Sequence, residues 1–198
     1  MKTLHVVHPY TFKVENDRLI AGPISQFTSR DESIRDLVSV ALDNGKVINY
    51  VGKIKGSWDG LLELGAMLCD PLFNWVKDNR IVEITTLDSG VLIGEDKPEA
   101  LGDEQWEIAK RCFTTPDEMK KLTEDSQPNI FIGGYLENCL ANAMGHHQKH
   151  FRKNGERVYY VPELCARHNS TPWDEVRPKL EALNVHPMSQ EEAMGVFR

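Results

Sequence analysis

Nowhere in the chain do apolar residues run together for the roughly 20 positions that a membrane span requires. The opening residues MKTLHVVHPYTF also lack the apolar stretch of a secretory leader. Cysteine is sparse: Cys69, Cys112, Cys139 and Cys165 stand far apart with no C-x-x-C among them, which argues against both a zinc ribbon and a disulfide framework. Basic residues are outnumbered, giving a net charge of −7, so sequence-blind binding to a nucleic-acid backbone is not expected. Core-forming residues are not lacking. Of 198 residues, 40% are apolar and 27% charged, the balance of a folded globular chain rather than a disordered one. With no linker, repeat or low-complexity tract, a single domain over 1–198 is expected, in a reducing, cytoplasmic compartment, with neither nucleic acid nor membrane as partner.

The apolar pattern alternates between short runs and helical stripes. Leu4-His5-Val6-Val7 reads as a buried strand stopped by His8-Pro9, and 8–29 as a loop. A helix capped at Ser29 or Asp31 then carries Ile34, Leu37, Val38, Ala41 and Leu42 at helical spacing and stops at Asn44-Gly45. The run from Lys46 to Val51 follows as a second strand, completing a βαβ unit. Further on, a helix is expected over 61–76, a strand over 80–87 turning into a partner at 91–94, and a short helix over 104–111. Another helix starts at Thr115-Pro116-Asp117-Glu118, with threonine as cap and proline in the first turn.

The clearest unit is Asn129 to Val161: a strand (129–132) ending in Gly133-Gly134, a helix over 135–153, and the strand RVYYV at 157–161. Such a crossover makes the two strands parallel. A helix over 173–183, an edge strand at 185–186 and a closing helix at 189–197, with Ser189 as cap and Glu192 in the capping-box position, complete the chain. The fold class is therefore α/β, a three-layer αβα sandwich around a mostly parallel sheet.

In an open parallel sheet, ligands bind beyond the carboxyl ends of the strands, which directs attention to Gly133-Gly134-Tyr135-Leu136-Glu137-Asn138-Cys139. The two glycines let the backbone turn and come close to a ligand. Cys139 falls near the first turn of a helix, where free N–H groups and the macrodipole favour a thiolate and an oxyanion. The competing reading makes Cys139 a small buried residue on the helix's inner stripe, beside Leu136, Leu140 and Ala143.

The pattern G-x-x-x-E-x-C after a strand resembles the nucleophile turn of the isochorismatase-like cysteine hydrolases, whose usual form is G-x-x-T-[DE]-x-C. RVYYVPELCA (157–166) is similar to that family's next strand and its V-x-D-A-C-A ending. Glu107 to Phe113 resembles the stretch bearing its catalytic lysine, K-x-x-x-S-x-F, which nominates Lys110. The resemblance implies an Asp–Lys–Cys trio in which the cysteine attacks an amide, ester or vinyl-ether-type bond. It implies a small-molecule substrate held by Gly133, Gly134, Tyr135, Leu136 and Asn138, a homo-oligomer, and no cofactor. Two departures matter. His8 stands where the family has its aspartate, with Phe12 alone matching the residues that follow, and Leu136 replaces the threonine of the turn. A histidine can serve as the base for a thiol, so Cys139, Lys110 and His8 are the candidate catalytic residues. Loss of activity, leaving a small-molecule binder or an assembly protein, is the alternative. The D-x-H…H metal motif of the nicotinamidase branch is absent between Val51 and Asp59, so no metal of that type is expected.

Other signals are weaker. His146 and His150 have the i, i+4 spacing of a metal pair, but Lys149, Arg152 and Lys153 around them suggest a solvated basic face, with His147 turned inward toward Phe151. Trp58 and Trp106 suit a pocket or the core. Gly133-Gly134 lacks the third glycine of a dinucleotide-binding turn.

Overall fold

The computed structural model describes residues 1–15, 18–23, 28–53, 80–87, 92, 103, 106–107, 113–151, 156–167 and 171–198. The expected helix at 61–76, the hairpin into 91–94, and Lys110, Cys69, Cys112 and Trp58 lie outside them, as does most of the 104–111 helix.

Six strands form one sheet: β1 (Thr3–Val7), β4 (Lys46–Lys53), β5 (Ile81–Leu87), β6 (Asn129–Tyr135), β7 (Val158–Ala166) and β8 (Val185–Pro187). Their order is β5-β4-β1-β6-β7-β8, and every pairing is parallel. The helices are α1 (Thr28–Asn44), α2 (Pro116–Thr123), α3 (Cys139–His150), α4 (Trp173–Ala182) and α5 (Gln190–Phe197). Alternation along the central strands sends side chains to two separate cores. Leu4, Val6, Val47, Ile130 and Ile132 pack against Ile34, Leu37, Val38 and Ala41 of α1 and Ala193 and Phe197 of α5. On the other face Val7, Ile48, Phe131 and Val158 meet Leu140, Ala143 and Met144 of α3 and Val176 and Leu180 of α4. The α/β three-layer arrangement read from the sequence is the one observed. The capping box expected of Ser189 and Glu192 is formed, and the expected cap Thr115 makes one as well, with Glu118.

Four boundaries differ. The 8–29 stretch is not all loop: β2 (Tyr10–Glu15) and β3 (Arg18–Pro23) make a separate antiparallel hairpin. Its signal was the alternation of Tyr10, Phe12 and Val14 with Thr11, Lys13 and Glu15, followed by Asn16-Asp17. Strand β6 runs through both glycines to Tyr135, and β7 runs past Pro162 to Ala166, with irregular register at Gly133 absorbing the mismatch. Helix α3 consequently begins at Cys139 rather than at 135.

Candidate active site

The strand order reverses between β1 and β6. The chain moves outward from β1 through β4 to β5 on one side, and from β6 through β7 to β8 on the other. At such a switch point the connections leave for opposite faces and open a crevice at the carboxyl ends. Here α1 covers one face and α3 the other. At this end of the sheet lie His8-Pro9 after β1, Gly133 to Tyr135 closing β6, and Cys139 opening α3.

The glycines are required by contact. A Cβ on Gly134 would lie 2.5 Å from the Cys139 sulfur and 2.8 Å from the Val7 carbonyl oxygen. Gly133 holds φ +114°, and a Cβ there would meet the Val7 carbonyl oxygen at 2.6 Å. The double glycine therefore brings sulfur and strand backbone together. Gly133, Gly134 and Leu136 are buried, Tyr135 is half-buried and Asn138, the N-cap of α3, is exposed. Leu136 serves the apolar core beside Leu140 and Ala143.

Cys139 is 5% exposed and packs in that same core. Its sulfur lies 3.9 Å from the Tyr135 carbonyl oxygen, a weak S–H contact. The thiol is pushed up to about 11, chiefly by burial. Hydrogen bonds with the backbone of Tyr135, Leu140 and Cys139 itself pull it down, and the Glu137 carboxylate pushes it further up. Desolvation thus works against the thiolate that the N-terminal donors of α3 favour. Cys165 is also a buried thiol raised by desolvation, against the pull of the Arg30 guanidinium and the Gly133 backbone.

His8 is buried and adopts φ +40°, a left-handed conformation uncommon outside glycine. Its Nε2 is 2.9 Å from the Thr86 hydroxyl of β5. A Cβ on Gly134 would lie 3.2 Å from the His8 carbonyl oxygen, so His8 and Cys139 border the same glycine. Of the three candidate catalytic residues, the His8 backbone and the Cys139 sulfur meet at Gly134, the His8 imidazole is directed to Thr86 of β5, and Lys110 is outside the described residues.

A fourth group was missed from the sequence. Arg30, 6% exposed in the first turns of α1, donates from Nη1 to the Gly133 carbonyl at 2.9 Å and from Nη2 to the Pro9 carbonyl at 3.0 Å. It thereby spans the ends of β1 and β6. Asp31 balances its charge, with Nη2 to Oδ1 at 2.6 Å. The available signal was a cation at a helix N-terminus, where the dipole opposes it unless something else holds it there.

Among the described residues no group of three histidine, cysteine or acidic side chains is placed to hold a metal, and no described helix is long and apolar enough to cross a membrane.

An open parallel sheet with helices on both faces and a switch point between β1 and β6 defines a three-layer α/β domain. No family model and no curated protein matches the chain, but its fold has clear counterparts. N-carbamoylsarcosine amidase from Thermoplasma acidophilum superposes with a TM-score of 0.57 at 10% identity, over 96% of this chain and 98% of that one. An isochorismatase-like hydrolase from Alkaliphilus metalliredigens does so at 0.55 and 7% identity, over 100% and 99%. A cysteine hydrolase from Pseudomonas syringae pv. phaseolicola 1448A gives 0.53 and 14% identity, over 99% and 92%. The chain has the isochorismatase-like hydrolase fold.

Proposed function

We propose that the chain is a thiol hydrolase of the isochorismatase-like kind, opening a small amide, ester or related C–N bond through a thioester on Cys139. The observation that carries this reading is the contact of the Cys139 sulfur with Gly134, at the crevice where the strand order reverses. The resting sulfur is a thiol. As the substrate carbonyl approaches, the thiol proton passes to the His8 imidazole and the sulfur forms the new bond to carbon. The leaving amine or alcohol takes that proton, and water then attacks the thioester, releasing acid and thiol. Lys110 assists by its positive charge. The first N–H groups of α3 face the developing oxyanion. Solved relatives named as an amidase and as a cysteine hydrolase support the reaction class. Substrates are small molecules, and the chain works as a homo-oligomer in the cytoplasm.

A second reading, a binder or assembly protein that retains the fold without the chemistry, draws support from one specific feature: a thiol at 5% exposure, raised to about 11, with histidine where the related enzymes have aspartate. Intact-mass analysis after exposure to p-nitrophenyl acetate separates the two. An acetyl adduct on Cys139 that turns over and is absent from Cys139→Ser is expected. A chain that never acylates at Cys139, while folded, overturns the hydrolase reading in favour of the second.

A further inference from the structure

Helix α3 carries a second chemical feature two turns beyond Cys139, on its outer side. His146 and His150 are one helical turn apart, and their rings lie 4.5 Å between centroids at 33°. At that spacing the ring nitrogens of both imidazoles can be brought to about 3 Å of each other, the separation needed by two adjacent ligands bound about 2.0–2.1 Å from one ion. The sequence suggested a solvated basic face here, and Lys149 and His150 are exposed. His146 is half-buried, with the Phe151 ring at 5.5 Å.

The helix beneath the pair is firmly held. His147, between them in sequence, turns inward at 1% exposure, lies edge-on to Phe131 at 5.6 Å, and approaches the Glu156 carboxylate at 3.5 Å. The N–H of Phe151 closes the last turn on the His147 carbonyl at 2.9 Å. A chelate built on such a backbone needs little ordering when an ion arrives.

We propose that His146 and His150 form a two-histidine chelate for a borderline divalent transition ion of the zinc, nickel or copper class, stapling the last turns of α3. No third protein ligand comes from the described residues, so water completes the coordination. The neighbouring Lys149 charge weakens the site, which makes it an exchangeable one. Imidazole selects these ions over magnesium or calcium, whose preferred ligands are oxygen.

The test is calorimetric titration of nickel into the full chain and into the His146→Gln, His150→Gln and His186→Gln variants, with melting curves recorded beside each. Nickel binding is expected to weaken tenfold or more in His146→Gln and in His150→Gln and to stay unchanged in His186→Gln. Nickel should raise the melting temperature of the wild type and of His186→Gln only. Wild-type affinity retained by either α3 variant, or wild-type protein without saturable binding below about 1 mM, overturns the chelate. The Gln side chains sit on the outer side of the helix, and magnesium, which should leave every melting curve in place, controls for ionic strength.

Discussion

Acidification should unfold this protein through His5, and the size of the effect follows from its surroundings. His5 is fully buried in β1, stacked on Phe131 at 4.1 Å. The Asn129 side-chain amide donates to the Ser126 carbonyl and to Glu156, so its Oδ1 is an acceptor and His5 Nε2, 2.7 Å away, carries the proton. His5 Nδ1 then accepts from the Tyr50 hydroxyl at 3.0 Å. Burial, reinforced by His147 and Lys46, lowers the His5 pKa well below its ordinary 6.5, against the pull of Asn129. The folded chain therefore refuses a proton that the unfolded chain accepts below about pH 6.5. The stabilisation is complete above that pH and shrinks by about 1.4 kcal/mol per unit below it, until the folded-state pKa is reached. At pH 5 the loss is at most about 2 kcal/mol. Urea unfolding at half-unit intervals from pH 7.5 to 5, in wild type and His5→Gln, measures it. His5→Gln should be the less stable protein at pH 7.5 and should lose less as pH falls. His146, also lowered by burial but half-exposed, contributes to both proteins and drops out of the difference. Parallel pH curves for the two proteins would refute the reasoning.

Two further outcomes follow from the crevice. Gly134→Ala forces a methyl to 2.5 Å from the Cys139 sulfur and 2.8 Å from backbone, and should cost about 1–3 kcal/mol by overpacking, whereas Gly195→Ala in α5, with nothing within 4 Å of its Cβ, should be neutral or stabilising by up to about 1 kcal/mol; chemical denaturation reads both. Replacing Arg30 by Met or Asp31 by Asn strands one buried charge of a pair whose side chains are 4% and 5% exposed, at an expected cost of about 3–5 kcal/mol, with the double variant less destabilised than the sum of the two. Additive losses in that cycle would show that the two side chains do not act as a pair.

The architecture was legible because the sheet interior leaves little freedom. Leu4 and Val6 can only face one layer and Val7 the other, and the stripe from Ile34 to Ala41 has one partner face to meet. The end of β6 was not legible. Glycines usually mark the end of a strand, yet Gly133 and Gly134 remain within the ladder because β1 and α3 crowd them there. That contact depends on residues more than a hundred positions apart in the chain, which no local pattern reveals. The Arg30–Asp31 pair was hidden for the same reason. Its partners, the Pro9 and Gly133 carbonyls, are backbone atoms with no signature in sequence.

Cys139 shows how two correct local arguments combine to give the wrong sign. A cation or anion at a helix terminus gains about 0.3–1 kcal/mol from the dipole, less than one pKa unit. Removing a thiolate from water works against ionisation, and here the balance carries the thiol from 9.0 up to about 11, a net shift opposite to the dipole's. The sequence placed Cys139 near a helix terminus and named Leu136, Leu140 and Ala143 as its neighbours in a competing buried reading, but no local pattern weighs the one against the other. At pH 7 only about one sulfur in ten thousand is then ionised at rest. A hydrolase built this way must move the proton during the attack rather than before it. That requirement makes a base at the crevice indispensable. Under the proposed function that base is His8, held at φ +40° with its Nε2 on the Thr86 hydroxyl.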